Sequence, residues 1–67
     1  MKEFCERFKE LRLEKNLSTS KLGEILGVSH TTISRWESGV IVPSIAHLKN
    51  IAVYFGVTAD YLIGLED

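Results

Sequence analysis

The sequence predicts an all-α fold, a compact domain of five short helices that spans residues 1–67. Apolar residues recur at helical spacing along most of the chain. Ser, Thr and Gly, which favour helix ends, separate these periodic segments. The one strand-like run, residues 40–42, is too short to pair alone and is interpreted as a loop. At 67 residues, 45% hydrophobic and 25% charged, the chain has the size and composition of one small globular domain.

The first two helices are indicated by apolar stripes and by the residues that follow them. The first is expected over residues 2–15, with Phe4, Phe8 and Leu11 on one stripe. Asn16 then fits the left-handed conformation that ends many helices. The second helix is expected to run from a Ser18 cap to residue 26, before Gly27. Its side chains expected to point inward are Leu22, Ile25 and Leu26.

The remaining three helices follow the same rules. They are expected over about residues 29–38, after Pro43 to residue 55, and at residues 58–63. The expected caps are Ser29, Ser44 and Thr58, and the expected stops are Gly39, Gly56 and Gly64. The expected core residues of the last two helices are Leu48, Ile51, Ala52, Phe55 and Leu62. The third helix carries only two large apolar residues, so its remaining face calls for an explanation.

The outward face of the third helix has an unusual composition. Successive residues lie about 100° apart, so Ile33 and Trp36 define its inward direction. The outward and flanking residues are His30, Thr31, Thr32, Ser34, Arg35, Glu37 and Ser38. An α-helix fits the DNA major groove, where short polar side chains let the backbone approach and Arg35 could reach guanine O6 and N7. This face therefore predicts base reading.

The second and third helices form a unit with a narrow turn. Gly23 and Gly27 are four residues apart and are followed by Val28 and Ile33. A small residue inside the second helix allows a close crossing, Gly27 permits the turn, and the two aliphatic residues fill the corner. Two helices joined by a turn of about three or four residues have the geometry of a helix-turn-helix, which we place at residues 18–37.

Charge and composition exclude several classes of protein. The chain has no apolar run long enough to span a membrane, no signal-peptide pattern and a single cysteine, Cys5, so we expect a cytoplasmic protein without disulfides. Its net charge of −1 argues weakly against a nucleic-acid partner. However, residues 1–35 hold seven Lys and Arg against five Glu, so a basic surface would lie in this half.

The whole layout resembles a known family. The chain is similar to the Cro and phage-repressor type of helix-turn-helix proteins, the lambda-repressor-like domains, in LSTSKLGEILGVSHTTISRWESGVIVPS and LKNIAVYFGVTADYLIGL. The resemblance begins at RFKELRLEKNLS and covers nearly the whole chain. It implies sequence-specific binding to double-stranded operator DNA, usually as a two-fold dimer, and regulation of transcription, with repression the expected effect.

The resemblance also implies roles for individual residues. Base reading is expected from His30, Thr31, Ser34 and Arg35 in a recognition helix at residues 29–38. Phosphate contacts are expected from Lys9, Arg12, Ser18, Thr19 and Ser38. Arg12 and Glu37 are expected to form a salt bridge between the first and third helices. The chain differs from the family's usual pattern at Thr19, often Gln, and at residues 40–42, often basic, which implies fewer phosphate contacts.

Dimer contacts are expected in two apolar segments beside the recognition helix. The predicted dimer contacts are Ile41 in the loop, and Ile63 and Leu65 after the last helical pattern. Alternatively, these side chains fold back on their own domain. Val40 could contact a thymine methyl group instead of a second copy.

Other interpretations of the same residues are open. Arg35 and His30 could be ordinary solvated residues, and Cys5 a half-buried small apolar residue. No cofactor, metal site, small-molecule ligand or enzymatic activity is expected, because no motif for one is visible. The alternative function is a protein-interaction module that keeps the fold but recruits a partner, which the apolar loop at residues 40–42 would favour.

Overall fold

The computed structural model describes residues 2–67, and these residues form five α-helices joined by short turns. The helices are α1 (Lys2–Glu14), α2 (Thr19–Leu26), α3 (His30–Ser38), α4 (Ile45–Phe55) and α5 (Ala59–Leu62). The all-α prediction is confirmed, and the run at residues 40–42 is a loop as predicted. Two boundaries differ slightly, since α1 ends at Glu14 and α5 at Leu62.

Side-chain caps start four of the helices. The hydroxyl oxygens of Ser18, Ser29, Ser44 and Thr58 each accept a hydrogen bond from the backbone N–H three residues later. Each such bond satisfies one of the N–H groups that a helix leaves without an internal partner, and replacing such a cap by Ala typically costs about 1 kcal/mol. All four predicted caps are confirmed.

Left-handed residues end α2, α3 and α4. The φ angles of Gly27, Gly39 and Gly56 are +75°, +80° and +68°, and their N–H groups return to carbonyls of the preceding turn. Asn16, at φ +55°, is the only non-glycine residue with positive φ in the described part of the chain. Its predicted role as the stop of α1 is confirmed, and the sharp turns let consecutive helices pack on one another.

The core lies between the five helices, each of which contributes at least one buried side chain. Its fully buried side chains include Phe4, Phe8, Leu22, Ile33, Ile51 and Leu62. Phe8 lies at its centre, with its ring 5.2 Å from that of Phe4, 5.9 Å from Trp36 and 6.3 Å from Phe55. Trp36 is only 2% exposed. The helix α3 is therefore fixed from behind by an aromatic cluster anchored in α1.

The prediction that Ile25 points inward is wrong. Its side chain is 39% exposed, whereas Leu22 is fully buried. Gly23 is also buried, because α3 crosses α2 on that side. The inward direction of α2 therefore lies between Leu22 and Gly23, and Ile25 lies off its edge. The close contact at Gly23 thus shifts the buried face toward Leu22 and away from Ile25.

Candidate nucleic-acid interface

The junction of α2 and α3 is too narrow for any side chain on Gly23. A Cβ atom built there would lie 2.6 Å from the carbonyl oxygen of Val28 and 3.3 Å from the backbone nitrogen of His30. The N–H of Val28 in turn donates to the carbonyl of Gly23 at 2.9 Å. The turn is thus packed backbone against backbone, and this contact fixes how α3 leaves α2.

The helix α3 presents opposite chemistries on its two sides. Ile33 is 0% exposed and faces the core together with Trp36. The four predicted base-reading residues are all exposed: His30, Thr31, Ser34 and Arg35. Three of them have short or medium side chains, and the one long cation stands in the last turns of the helix. The structure therefore brings these residues together on one accessible helix face.

A bidentate ion pair holds α3 against α1. Arg12 Nε donates to Glu37 Oε2 at 2.6 Å, and Arg12 Nη2 donates to Glu37 Oε1 at 3.0 Å. Arg12 Nη1 donates to the backbone carbonyl of Leu17 at 2.8 Å. The two side chains are 11% and 10% exposed. Because all three nitrogens donate, one guanidinium joins α1, the turn before α2, and α3.

The charge of this pair follows from its hydrogen bonds. The bond to Glu37 raises the pKa of Arg12, burial lowers it by a smaller amount, and the charge of the carboxylate adds to the increase. The guanidinium is thus firmly protonated. Only the second protons of Nη1 and Nη2 remain free to bind a DNA phosphate. Arg12 therefore has fewer available donors than an exposed lysine, whose three ammonium protons are all free.

The other predicted phosphate-contacting residues differ in the donors they have available. Lys9 is exposed on α1. Ser18 Oγ accepts from the N–H of Lys21, which leaves its own proton to donate. Thr19 is half-buried at the first position of α2, where backbone N–H groups point outward. Ser38 Oγ donates to the carbonyl of Arg35 at 3.2 Å, so a phosphate would have to compete with that bond.

The three residues predicted as dimer contacts have unequal exposure. Leu65 is 72% exposed and Ile41 is 41% exposed, whereas Ile63 is half-buried and caps the end of α5. The N–H groups of Val40 and Ile41 both reach the carbonyl of Arg35, which ties the loop to the end of α3. Leu65 and Ile41 are consequently the two of these side chains whose exposed apolar surface a second copy could bury.

The C-terminal residues are attached to α1 by a contact that sequence reasoning missed. Arg7 Nη1 donates to the backbone carbonyls of Tyr61 and Glu66. Its guanidinium carbon lies 4.4 Å from the centroid of the Tyr61 ring. A signal was available, since Arg7 borders the apolar stripe of α1 on the side opposite to Arg12. The acceptors are backbone atoms, however, so no partner residue type was visible in the sequence.

Two further features complete the surface. An open groove of about 460 Å³ between α2 and α4 is lined by Ile25, Leu26, Lys49, Asn50, Val53 and Tyr54. Within residues 2–67, no group of three His, Cys, Asp or Glu residues is arranged to hold a metal ion. No helix of that region is long and apolar enough to cross a membrane.

A buried elbow between two helices, followed by a polar helix whose opposite side is fixed to the core, defines a helix-turn-helix protein. The chain belongs to the helix-turn-helix family of the Cro and phage-repressor type, since the family profile described as "Helix-turn-helix" matches residues 8–62. Its fold is also that of the P22 c2 repressor, crystallised in complex with synthetic operator 9T in the presence of Tl+. The two structures superpose with a TM-score of 0.87 at 27% identity, over 94% of this chain and 96% of that one.

Curated relatives support the same family. The chain is 46% identical over 65 residues to the HTH-type transcriptional activator BcrR of Enterococcus faecalis, covering 97% of this chain and 32% of that protein. It is 38% identical over 61 residues to the HTH-type transcriptional regulator AnsR of Bacillus subtilis (strain 168), covering 91% of this chain and 53% of that protein. The chain thus spans about a third to a half of the length of these two relatives.

Proposed function

We propose that this protein binds double-stranded DNA sequence-specifically, with α3 in the major groove, and regulates transcription. The observation that carries the proposal is the two-sided character of α3. Its face of His30, Thr31, Ser34 and Arg35 is exposed, while Ile33 on the other side is fully buried. A helix held rigidly from behind can present short side chains to base edges without further ordering.

The proposed base contacts follow from side-chain chemistry. Arg35 can donate two hydrogen bonds to O6 and N7 of one guanine. Thr31 and Ser34 can donate to or accept from base edges, and the methyl group of Thr31 can contact a thymine methyl. His30, at the first position of α3, can contact a base or an adjacent phosphate. Together they would read only a few base pairs.

The proposed phosphate contacts are Lys9, Ser18 and Thr19, with Arg12 and Ser38 contributing less because their donors are already engaged. Few cations take part, so the electrostatic share of binding is small. A protein that neutralises about two or three phosphates per copy should lose affinity with salt at a slope near −2 to −3 on a logarithmic plot. Base contacts and a second copy must then supply much of the affinity.

We propose two copies per site. One recognition helix touches too few base pairs for typical specific affinity, whereas a two-fold pair places helices in successive major grooves roughly 34 Å apart. Leu65 and Ile41 provide the exposed apolar area, and Ile63 a smaller edge. Such a patch is small, so association should be weak without DNA and cooperative on DNA.

Repression is the proposed effect on transcription, and the cytoplasm the proposed location. Occupying DNA that a polymerase must use is sufficient for repression, whereas activation needs a further contact with the polymerase. The relatives' names include both an activator and a repressor. A promoter–reporter carrying the bound sequence would distinguish them, because repression predicts lower output when the protein is present.

The first experiment is selection of bound duplexes from a random DNA pool. The proposal predicts an enriched palindrome with two short half-sites about one helical turn apart. Affinity for it should exceed that for unrelated DNA by about 1,000-fold or more. Recovery of no common sequence would contradict sequence-specific binding.

The second experiment tests the proposed dimer surface with a matched pair of variants. Leu65 and Val53 are almost equally exposed, at 72% and 73%, but Val53 lies in the groove between α2 and α4. Leu65→Asp should reduce cooperative binding to the palindrome, because a charge would be buried between copies. Val53→Asp adds the same charge and should leave that binding unchanged. Equal behaviour of the two variants would remove Leu65 from the dimer contact.

A protein-interaction module is the second candidate function, because the surface carries exposed apolar residues around α3. Val40 is 70% exposed, Val42 55% and Ile45 87%. An apolar protein contact is nearly insensitive to salt, whereas DNA binding weakens as salt is added. Measuring the salt dependence of binding to the selected duplex therefore separates the two.

A further inference from the structure

The residues after α5 are held to the domain at several points. Arg7 donates to the carbonyls of Tyr61 and Glu66. Thr58 Oγ1 donates to a carboxylate oxygen of Glu66. The N–H of Leu65 donates to the carbonyl of Asp60 at 2.8 Å. We call residues 63–66 the C-terminal segment, and α1 is the support on which it lies.

The C-terminal segment also packs closely on the first turn of α1. Gly64 has φ +88°, and a Cβ atom built on it would lie 2.7 Å from Cγ of Glu3. The segment thus takes a sharp left-handed turn directly against the Glu3 side chain. Leu65 follows this turn and is 72% exposed. The residues before and after it, Gly64 and Glu66, both contact the domain, so its apolar side chain is fixed in an exposed position.

We propose that Arg7 is a positioning residue for self-association: it fixes the C-terminal segment so that Leu65 is already in place for a second copy on DNA. This inference rests on the proposed function, specifically on the two-fold complex on a palindrome. Arg7 itself touches neither DNA nor the second copy in this proposal. It acts only through the carbonyls of Tyr61 and Glu66.

The physical reason is the entropy of ordering a segment that lies beyond the last helix. Such a segment, when nothing attaches it to the domain, samples many conformations and must lose that freedom when it is buried in an interface. Both protons of one Arg7 nitrogen bind backbone carbonyls, and the guanidinium lies over the Tyr61 ring. The segment therefore loses its conformational entropy when the chain folds and not when two copies associate. Because the apolar patch is small, little binding free energy remains after the costs of association. Ordering of the C-terminal segment in advance should therefore decide whether two copies bind cooperatively.

The experiment compares Arg7→Gln with Lys2→Gln. Both remove one positive charge from α1, but Lys2 is an exposed residue of the first turn, away from the carbonyls of Tyr61 and Glu66 that Arg7 binds. Binding is measured to the selected palindrome and to a duplex with a single half-site. In parallel, the ¹⁵N–{¹H} nuclear Overhauser effect at Gly64 and Leu65 reports fast backbone motion of the C-terminal segment.

The expected result is specific to the palindrome. Arg7→Gln should weaken palindrome binding about tenfold relative to Lys2→Gln, because two C-terminal segments must then be ordered on association. Both variants should bind the single half-site equally. The Gly64 and Leu65 amides should become mobile, while the Val28 amide, which donates to Gly23, stays rigid. That last signal excludes general unfolding as the cause.

Three outcomes would overturn the role of Arg7. The first is a C-terminal segment that stays rigid in Arg7→Gln. The second is a mobile segment with palindrome binding equal to that of Lys2→Gln. The third is an equal loss on the palindrome and the half-site. If the wild type itself prefers no palindrome, the two-fold complex fails, and the role of Arg7 fails with it. If the wild type prefers the palindrome but Arg7→Gln matches the control, only the role of Arg7 fails.

Discussion

Two arginines on opposite flanks of α1 attach the two ends of the molecule in different ways. Arg12 binds a carboxylate on α3 through two nitrogens, and the side chains of both partners are about nine-tenths buried. Arg7 binds backbone carbonyls of the C-terminal residues and stacks on Tyr61, at the edge of the domain. One residue type thus fixes α3 to the core and holds the segment after α5 at the surface.

The difference lies in what remains when each arginine is removed. Loss of Arg12 would leave the Glu37 carboxylate without its cation in a shielded position, which is costly. Loss of Arg7 would leave carbonyls that water can reach once the segment moves away. The Arg12 contact should therefore act mainly on stability, and the Arg7 contact mainly on the order of a local segment.

The largest effect expected is that of Arg12→Met on stability. It should lower the free energy of unfolding by about 3 kcal/mol, because an unpaired carboxylate stays shielded. The double variant Arg12→Met, Glu37→Leu should lose less than the single one. Urea unfolding measures both, with Lys9→Met as a control for loss of an exposed cation from α1. A double variant less stable than the single variant would show that the pair is not the source of the cost.

Two glycines give a second comparison between the same two ends of the molecule. Gly23→Ala should cost about 2 kcal/mol, because the new methyl group meets the Val28 carbonyl oxygen, part of a rigid turn. Gly64→Ala should cost about 1 kcal/mol, mostly from placing alanine at positive φ, since the Glu3 side chain can move aside. Urea unfolding ranks the two, and Ser20→Ala on the exposed side of α2 is the control. Reversal of the ranking would mean that the C-terminal turn is the more rigid of the two.

Much of the recognition end could be predicted from the sequence, because its determinants are side chains. Ser18 and Ser29 indicate where α2 and α3 begin, and Gly27 and Gly39 indicate where they end. The spacing of Ile33 and Trp36 indicates the buried face of α3. These signals are local and act within one helical turn. Their agreement with the family pattern explains why the fold and the exposed face of α3 were predicted together.

The C-terminal end could not be predicted in the same way. Arg7 bonds to carbonyls more than 50 positions away, and every residue carries a carbonyl, so the sequence shows no partner. Burial was also misjudged at Ile25, where the close contact at Gly23 displaced the buried face. In both places backbone atoms make the decisive contact: Gly23 indicated a close crossing but not which side chain would be displaced, and nothing in the sequence indicated the carbonyls that Arg7 binds.

At the recognition end, Arg35 tests whether the exposed face reads bases. Arg35→Ala should weaken binding to the selected palindrome by about 1–3 kcal/mol and binding to random DNA by less. Fluorescence anisotropy with both duplexes at one salt concentration measures this. Lys9→Ala, proposed to touch only phosphate, should weaken both equally. If Arg35→Ala behaves like Lys9→Ala, Arg35 is a phosphate contact and the specificity lies with His30, Thr31 and Ser34.

The smallest effect expected is that of Arg7→Gln on stability. It should lower the free energy of unfolding by about 1 kcal/mol or less, because an exposed cation–π contact and hydrogen bonds to accessible carbonyls contribute about that much. Leu62 stays fully buried and keeps α5 in place when the segment beyond it is released. Combined with Arg12→Met, the two losses measured by urea unfolding should add, since the arginines share no partner. A loss as large as that of Arg12→Met would mean that the C-terminal segment belongs to the folding core, and the contrast between the two arginines would then be wrong.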